Sequence, residues 1–486
     1  MSTTRPASAA WATVRNVISL STARAISLPL QLVAFTILVA ALGPEDAGVY
    51  TFALALVLLF QFATDLGLKG IAVRDVSQDD AREPRAVPNL LYVRLILGLA
   101  AYVAMAALAA AVSFAPDVRS AALLMGIVLP LIALDSFGVS LDVRLRLGIP
   151  GVAGVLQGVV SLLGAIWLAQ GDAGVLAFVL LFVVASAVRI TIVAAAGLRV
   201  GPTLDWRPRR TEWHPLIVAA LPVALSGVFF AAYTRLDLIV IGVFKSADDV
   251  GQYGVAYRFF DALILLAGVV QAAVWPVLAR SWSRDRSALP GQLQRIVDAS
   301  LAVALPIAVG GAMVAWRLVP AIPGLEEFDG AGVALSILIV AYVPIFVGHL
   351  LHASLVIAHR QRALVGIALS GLLLNAALTI LLVRPFSFVG AAVATAATEI
   401  VILGVGLIIL QRLLGIRLGA RRLGRVASAT AIMAVVLAIG YLLPPLAQLG
   451  LGAIGYLGAA WALGIVSREQ WAVLRAGRGG PTEGTA

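Results

Sequence analysis

Apolar runs of roughly 20 residues recur along almost the whole chain, separated by short polar turns, and that length is what a helix needs to cross the hydrocarbon core of a bilayer. Fourteen such runs are expected to span, at 17–41, 47–68, 90–113, 119–142, 150–169, 174–197, 216–243, 251–279, 296–316, 330–353, 363–383, 389–411, 426–444 and 449–466. The eighth is expected to stop at Trp275-Pro276, ahead of a basic loop. No connection exceeds roughly twenty residues, which leaves no room for a soluble domain.

One polar turn occurs twice. Gly43-Pro44-Glu45-Asp46-Ala47-Gly48-Val49-Tyr50 echoes Ser246-Ala247-Asp248-Asp249-Val250-Gly251-Gln252-Tyr253, and Gly48 and Tyr50 map onto Gly251 and Tyr253 at the same spacing of 203 residues. The likeness extends further. Gly154 to Gly158 in the fifth span and Gly366 to Ser370 in the eleventh are both small-xxx-small patterns, which predict close helix packing. An even number of spans separates the copies, so both point the same way across the membrane, as in parallel-repeat transporters. The expected fold is an all-α polytopic membrane protein of about 14 helices, two parallel six-helix repeats plus two C-terminal helices. The division is a six-helix bundle over 1–197, a cytoplasmic linker at 198–215, a second bundle over 216–412, two extra spans over 413–467 and a cytoplasmic tail from 468 to 486.

Composition settles the solvent. Hydrophobic residues make up 61% of the 486, with a mean hydropathy of +1.01. A soluble fold could not cover that much apolar surface. The first apolar run is too long for the core of a secretory signal and reads as an uncleaved first span. A net charge of +10 does not indicate nucleic acid, because the basic residues sit in short loops between spans. Of the 35 Lys and Arg, only Arg119, Lys245, Arg317 and Arg384 fall in loops on the side opposite the N-terminus. Arg24, Arg94, Arg189, Arg235 and Arg258 fall in or at the edge of spans, and the remaining 26 share the side of the N-terminus. Positive charge marks the cytoplasmic face, so both termini are expected there, in the cell membrane. With no cysteine there is no disulfide framework. No phosphate-binding glycine loop and no histidine–glutamate metal spacing is present, which argues against a built-in ATPase, a metal centre or an enzyme.

The informative residues are charges inside apolar runs, which are costly in lipid and mark functional candidates. Arg24 lies about seven residues into the first span, roughly 10 Å deep. Arg235 and Asp237 interrupt the seventh, and Arg258 and Asp261 share one face of the eighth. The plain alternative is two structural ion pairs, Arg24 with Asp65 and Arg235 with Asp261. Taken together, the arginines suit an anion-binding cavity, because a guanidinium keeps its charge and makes bidentate contacts to phosphate oxygens. Asp65, Asp135, Asp237, Asp261 and Glu399 are candidates for ion pairing or for proton or sodium coupling. No cofactor is expected.

These residues resemble a family. The run Arg235-Leu236-Asp237-Leu238-Ile239-Val240-Ile241-Gly242, then Asp249-Val250-Gly251-Gln252-Tyr253, Arg258 and Trp275-Pro276-Val277-Leu278 resembles the Wzx-type polysaccharide flippases of the MOP superfamily, which include relatives of the lipid II flippases and MATE exporters. So do Asp65-Leu66-Gly67-Leu68 and the stretch from Asn375 through Val389-Gly390-Ala391-Ala392 to Glu399. The resemblance implies a MATE-like fold and a substrate, an undecaprenyl-pyrophosphate-linked oligosaccharide moved from the cytoplasmic to the outer leaflet by alternating access. It implies that Arg24, Arg235 and Arg258 hold the anionic head group, with membrane lipids and a polysaccharide polymerase or glycosyltransferases as partners. The rivals are a MATE-type antiporter, whose cavity should be acidic, a non-transporting component of a glycan assembly complex, and a membrane glycosyltransferase, which the short outer loops disfavour.

Overall fold

A computed structural model describes residues 6–111, 116–284, 289–358, 360–414 and 420–465. The expected terminal tail from 468 onward lies outside the described residues. The chain is helical, and no strand occurs among the described residues. In order the helices are α1 (Pro6–Asp65), α2 (Leu68–Gln78), α3 (Glu83–Ala111), α4 (Pro116–Gly126), α5 (Val128–Leu131), α6 (Val139–Val143), α7 (Gly148–Ala169) and α8 (Val175–Val200). There follow α9 (Arg210–Phe244), α10 (Ala247–Arg284), α11 (Leu289–Leu318), α12 (Asp329–Leu338), α13 (Tyr342–Ile357), α14 (Gln361–Leu414), α15 (Ala420–Ile439) and α16 (Pro445–Ala462).

Nine stretches among the described residues are long and apolar enough to cross a membrane. That figure differs from fourteen partly because two of the stretches are folded on themselves. Thr22–Gln78 runs 57 residues, about 85 Å at 1.5 Å per residue, against a hydrocarbon core of about 30 Å. The backbone breaks at Gly43 (φ 71°, ψ 174°), immediately before Pro44. Ala363–Arg412 runs 50 residues and breaks at Ser387 (φ 51°, ψ −138°), two residues after Pro385. Both breaks combine a left-handed residue with a proline that cannot donate to the turn before it.

Two expected continuous spans are interrupted. The run at 119–142 is built from α4, α5, a 3₁₀ segment Ile132–Gly138 and α6, and the run at 330–353 passes through a 3₁₀ turn at Ile339–Ala341 between α12 and α13. Pro130 and Pro344 explain the weakening, since each removes one helical hydrogen bond. In the opposite sense, α10 continues through Pro276 to Arg284, beyond its expected end. One missing N–H in a long helix is tolerated where the flanking turns remain bonded.

The chain forms two compact units. The first comprises Met1–Ala262, Pro323–Ala331 and Ala368–Ala391. Its core gathers Leu68, Val76, Val87, Leu90 and Val139 from α2, α3 and α6. The expected close packing at Gly158 is present, with a Cβ there 3.1 Å from Leu30 Cβ of α1. Gly154 has no neighbour within 4 Å of that position, nor does Gly366, so these two glycines are not close-contact points. The segment after α8 is fastened to α3. Asp205 N donates to Pro84 O (2.8 Å), and Asn89 Oδ1 accepts from Arg209 N and Trp213 Nε1, both at 2.9 Å. The backbone N–H of Arg207 and the Arg209 guanidinium hold the Asp205 carboxyl below its usual range.

The second unit comprises Leu263–Ile322, Gly332–Ile367 and Ala392–Ala486. Val314 packs on Met433 and Leu437 where α11 meets α15. Arg317 donates to Tyr441 O and lies 4.4 Å from the Tyr441 ring centroid, closing the turn between α15 and α16. The far faces of these last helices are apolar and uncovered, with Leu442 93% and Leu446 75% exposed. Such faces suit lipid rather than water.

Candidate functional site

The two copies of the repeated turn meet inside the first unit. A Cβ on Gly48 would stand 1.7 Å from Ala247 O, and one on Gly251 would stand 2.0 Å from Pro44 O. Each turn therefore presses its glycine against the start of the other's helix, which only a residue without a side chain permits. One helical turn later Thr51 and Gly254, again 203 apart, face each other, a Cβ on Gly254 falling 2.3 Å from Thr51 Cγ2. Equivalent residues touching across the contact place a local two-fold axis between α1 and the α9–α10 pair.

Below that contact lies a pocket of about 360 Å³, open space at its mouth included. Phe35, Thr51, Leu54, Ala55 and Leu58 line it from α1, and Leu238, Gly254, Tyr257, Arg258 and Asp261 line it from α9 and α10. Those two sets correspond one to one at 203 residues. Arg235 completes the lining, and its counterpart at that spacing is Leu32. The shape is two-fold but the chemistry is one-sided, because every charged residue comes from the second copy.

The charges are positioned by helix periodicity. Arg258 and Asp261 stand three residues apart on α10 and so share the pocket face. Arg235, one helix earlier, lies 3.7 Å from Asp261. Aromatic rings carry the guanidiniums. Arg258 sits 5.3 Å from the Phe35 ring centroid and Arg235 sits 5.4 Å from that of Tyr257. Stacking of this kind holds a guanidinium without consuming its hydrogen-bond donors. Two cations and one carboxylate make up the charged lining, which is net positive, with Asp237 buried behind it.

The other candidates lie elsewhere. Arg24 is exposed on α1 and is not among the pocket residues. At eleven residues before Phe35 it is displaced by about 16 Å along the helix. The Arg24–Asp65 pairing considered from sequence is not made. Asp65 instead approaches Arg94, whose Nε lies 3.0 Å from Asp65 Oδ1, because α3 returns alongside α1. Asp135 is bound by Lys69 at 2.9 Å, with Arg189 at 4.0 Å, and Lys69 also reaches Asp142 at 3.3 Å. Asp237 is buried beside the pocket and accepts from the Tyr253 hydroxyl and from Leu238 N. Glu399 lies on α14 in the second unit. Sequence reasoning missed Thr51, Phe35 and Tyr257. The 203-residue spacing was the available signal, since it sets each of them opposite a residue already under suspicion or one step from it.

A profile of a polysaccharide biosynthesis protein family matches residues 37–326, more than half of the chain. The chain belongs to this family. A relative in Haloferax volcanii, described as a probable low-salt glycan biosynthesis flippase, Agl15, is 27% identical over 170 residues, 34% of this chain and 35% of that protein. The match thus spans about a third of that relative's length. Among solved structures, a lipid II flippase MurJ in an inward closed conformation superposes with a TM-score of 0.77 over 92% of this chain and 99% of that one, at 14% identity. An inward-facing multidrug resistance MATE family transporter of the MOP superfamily gives 0.62 over 84% and 99%, at 16% identity. At these identities the likeness establishes a MurJ- and MATE-like fold for the family member described here.

Proposed function

We propose that the protein is a secondary flippase for lipid-linked oligosaccharides, working by alternating access rather than by bond chemistry. The observation that carries this reading is the pocket in which Arg235 and Arg258 face a single carboxylate, Asp261, inside apolar helices. Unpaired positive charge there is costly unless an anion offsets it. A pyrophosphate head supplies that anion. The sugars and prenyl tail exceed the pocket and would lie in hydrated space and in lipid respectively. Membership of a polysaccharide biosynthesis family, a partial match to a probable glycan flippase and a MurJ-like fold support the substrate class.

The substrate on this reading is an undecaprenyl-pyrophosphate-linked repeat unit, with Arg24 meeting the head group toward the cytoplasmic side and Arg235 and Arg258 toward the outer side. On this reading both termini lie in the cytoplasm of a cell-membrane protein, which the asymmetry of loop arginines supports. Outward movement of the anion is then driven by the inside-negative potential, by about 2.3 kcal/mol per charge per 100 mV. A returning proton or sodium ion would reset the carrier, with Asp65 and Glu399 as titrating groups. A polymerase or glycosyltransferases would consume or supply the glycan.

The test is mass spectrometry of polyprenyl-linked glycans in cells depleted of the protein. Accumulation of one lipid-linked oligosaccharide, with loss of its surface product, is the expected result. An unchanged lipid-linked pool and an unchanged surface would end this reading and turn attention to efflux of organic cations.

A further inference from the structure

The pocket holds one polar group that neither the ion pair nor the aromatic stacking uses. Thr51 is 5% exposed and lines the pocket, and its Oγ1 has no hydrogen-bond partner among the described residues. Helical threonines normally return the hydroxyl to a carbonyl one turn back. Thr36, Thr398 and Thr430 do so here, to Leu32 O, Ala394 O and Val426 O at 3.0, 2.7 and 2.8 Å. Thr51 and Thr379 both depart from that habit among the described residues, and of the two Thr51 lines the pocket. A buried hydroxyl without a partner costs stability, and ligand contact is one of the few reasons to keep one.

Gly254 shows how the side chain is accommodated. A Cβ there would stand 2.3 Å from Thr51 Cγ2 and 2.8 Å from Oγ1, so any larger residue would push the threonine out of place. The residue equivalent to Thr51 in the second copy is thus the one that leaves room for it.

We propose that Thr51 is a binding residue of this pocket. It donates its hydroxyl hydrogen to an oxygen of the anionic head group whose charge Arg235 and Arg258 offset, and Gly254 keeps it in position. The proposal rests on the reading that the pocket takes a phosphate-type anion. The arginines approach that anion from the second copy. Thr51 approaches from the first, and being neutral it fixes orientation without adding attraction for anions in general. A tetrahedral phosphoryl group offers oxygens to both sides at once.

The test uses the full-length protein in detergent, titrated calorimetrically with inorganic pyrophosphate and separately with undecaprenyl pyrophosphate. Thr51→Val, which keeps the shape and removes the hydroxyl, should weaken binding by about tenfold or more. The same substitution should raise the melting temperature of the ligand-free protein, because it removes the unsatisfied group. A merely structural threonine would not give those opposite signs. Thr51→Ser should bind like the unaltered protein. Gly254→Ala should weaken binding, and adding Thr51→Val to it should cost little more. Binding by undecaprenyl pyrophosphate alone, weakened by Thr51→Val, supports the proposal and assigns the anion to a lipid head group. Thr51→Val binding within twofold of the unaltered protein, while Arg258→Ala loses binding, overturns the role of Thr51 and leaves the anion pocket standing. Absence of binding to either probe in the unaltered protein sinks both.

Discussion

The two copies of the turn and its following helix are alike in backbone and opposed in chemistry. Gly48 and Gly251 make the same reciprocal approach to the other copy's first helical turn. About two to three turns further on, Ala55 and Leu58 occupy the places of Arg258 and Asp261, and Leu54 that of Tyr257. The backbone contact tolerates nothing but glycine on either side, so both copies must solve it identically. The pocket wall carries no such constraint. A second arginine at 55 would face Arg258 across a low-dielectric gap, where like charges repel strongly. Only one side can afford the cation, and the other is left to supply surface and a neutral hydroxyl.

The largest effect expected from this contrast is at its charged position. Arg258→Ala should reduce glycan export at least tenfold, and Arg258→Lys should restore only part, since an ammonium lacks the planar fork that stacks on Phe35 and, in the proposed function, grips phosphate oxygens. Surface polysaccharide per inserted protein is the readout. The comparison sharpens if Ala55→Arg is added to Arg258→Ala. Because the pocket shape is two-fold, a cation placed on the first copy should recover a measurable share of export. No recovery would mean that the pocket reads the position of the charge, not its presence.

Much of this contrast was legible in the residues alone. The 203-residue spacing, the charge pairs in the seventh and eighth spans and the membrane class all follow from composition and periodicity. Which charges meet did not follow. Asp65 and Arg24 sit at comparable depths in neighbouring spans, yet Asp65 lies against Arg94 because of the angle at which α3 returns, and sequence spacing carries no crossing angle. The 3₁₀ breaks at Ile132–Gly138 and Ile339–Ala341 escaped for a related reason. A proline permits a break, but whether the chain takes it depends on neighbours that satisfy the freed carbonyls. Thr51 escaped because a lone threonine in a helix is unremarkable until its hydroxyl is seen to lack the usual carbonyl.

The second prediction concerns the half of the contrast that is symmetric. Gly48→Ala and Gly251→Ala should each destabilise the protein by about 2–3 kcal/mol, because the new methyl meets a backbone carbonyl that cannot swing aside. The two losses should be similar in size, because the two approaches are reciprocal. Gly70→Ala, with nothing within 4 Å of the added methyl, serves as the control and should be neutral or slightly stabilising. Thermal unfolding in detergent measures all three. A large loss at only one of the two turns would show that the contact is not reciprocal.

A smaller effect is expected where the copies exchange an aromatic for an aliphatic residue. Phe35 lies under Arg258, and its counterpart Leu238 carries no cation. Phe35→Leu makes the two walls alike at this position and removes a cation–π contact worth about 0.5–1.4 kcal/mol. Export should fall by roughly twofold to tenfold, with insertion unchanged. The reverse change, Leu238→Phe, adds a ring with no guanidinium above it and should not compensate.

The smallest expected effect lies at the acidic residues that open each helix. Glu45 and Asp248 occupy equivalent first-turn positions and are both exposed. A carboxylate there complements the positive end of the helix dipole by roughly 0.3–1 kcal/mol, and salt screens it. Glu45→Gln and Asp248→Asn should therefore each lower the melting temperature slightly and by similar amounts, less so in high salt, without change in export. Equality is the informative outcome, because it would confine the asymmetry between the copies to the pocket wall. If Glu45→Gln alone reduced export, the negative charge at the first turn would be part of the transport cycle. The division between a symmetric scaffold and a one-sided pocket would then have to move outward by two helical turns.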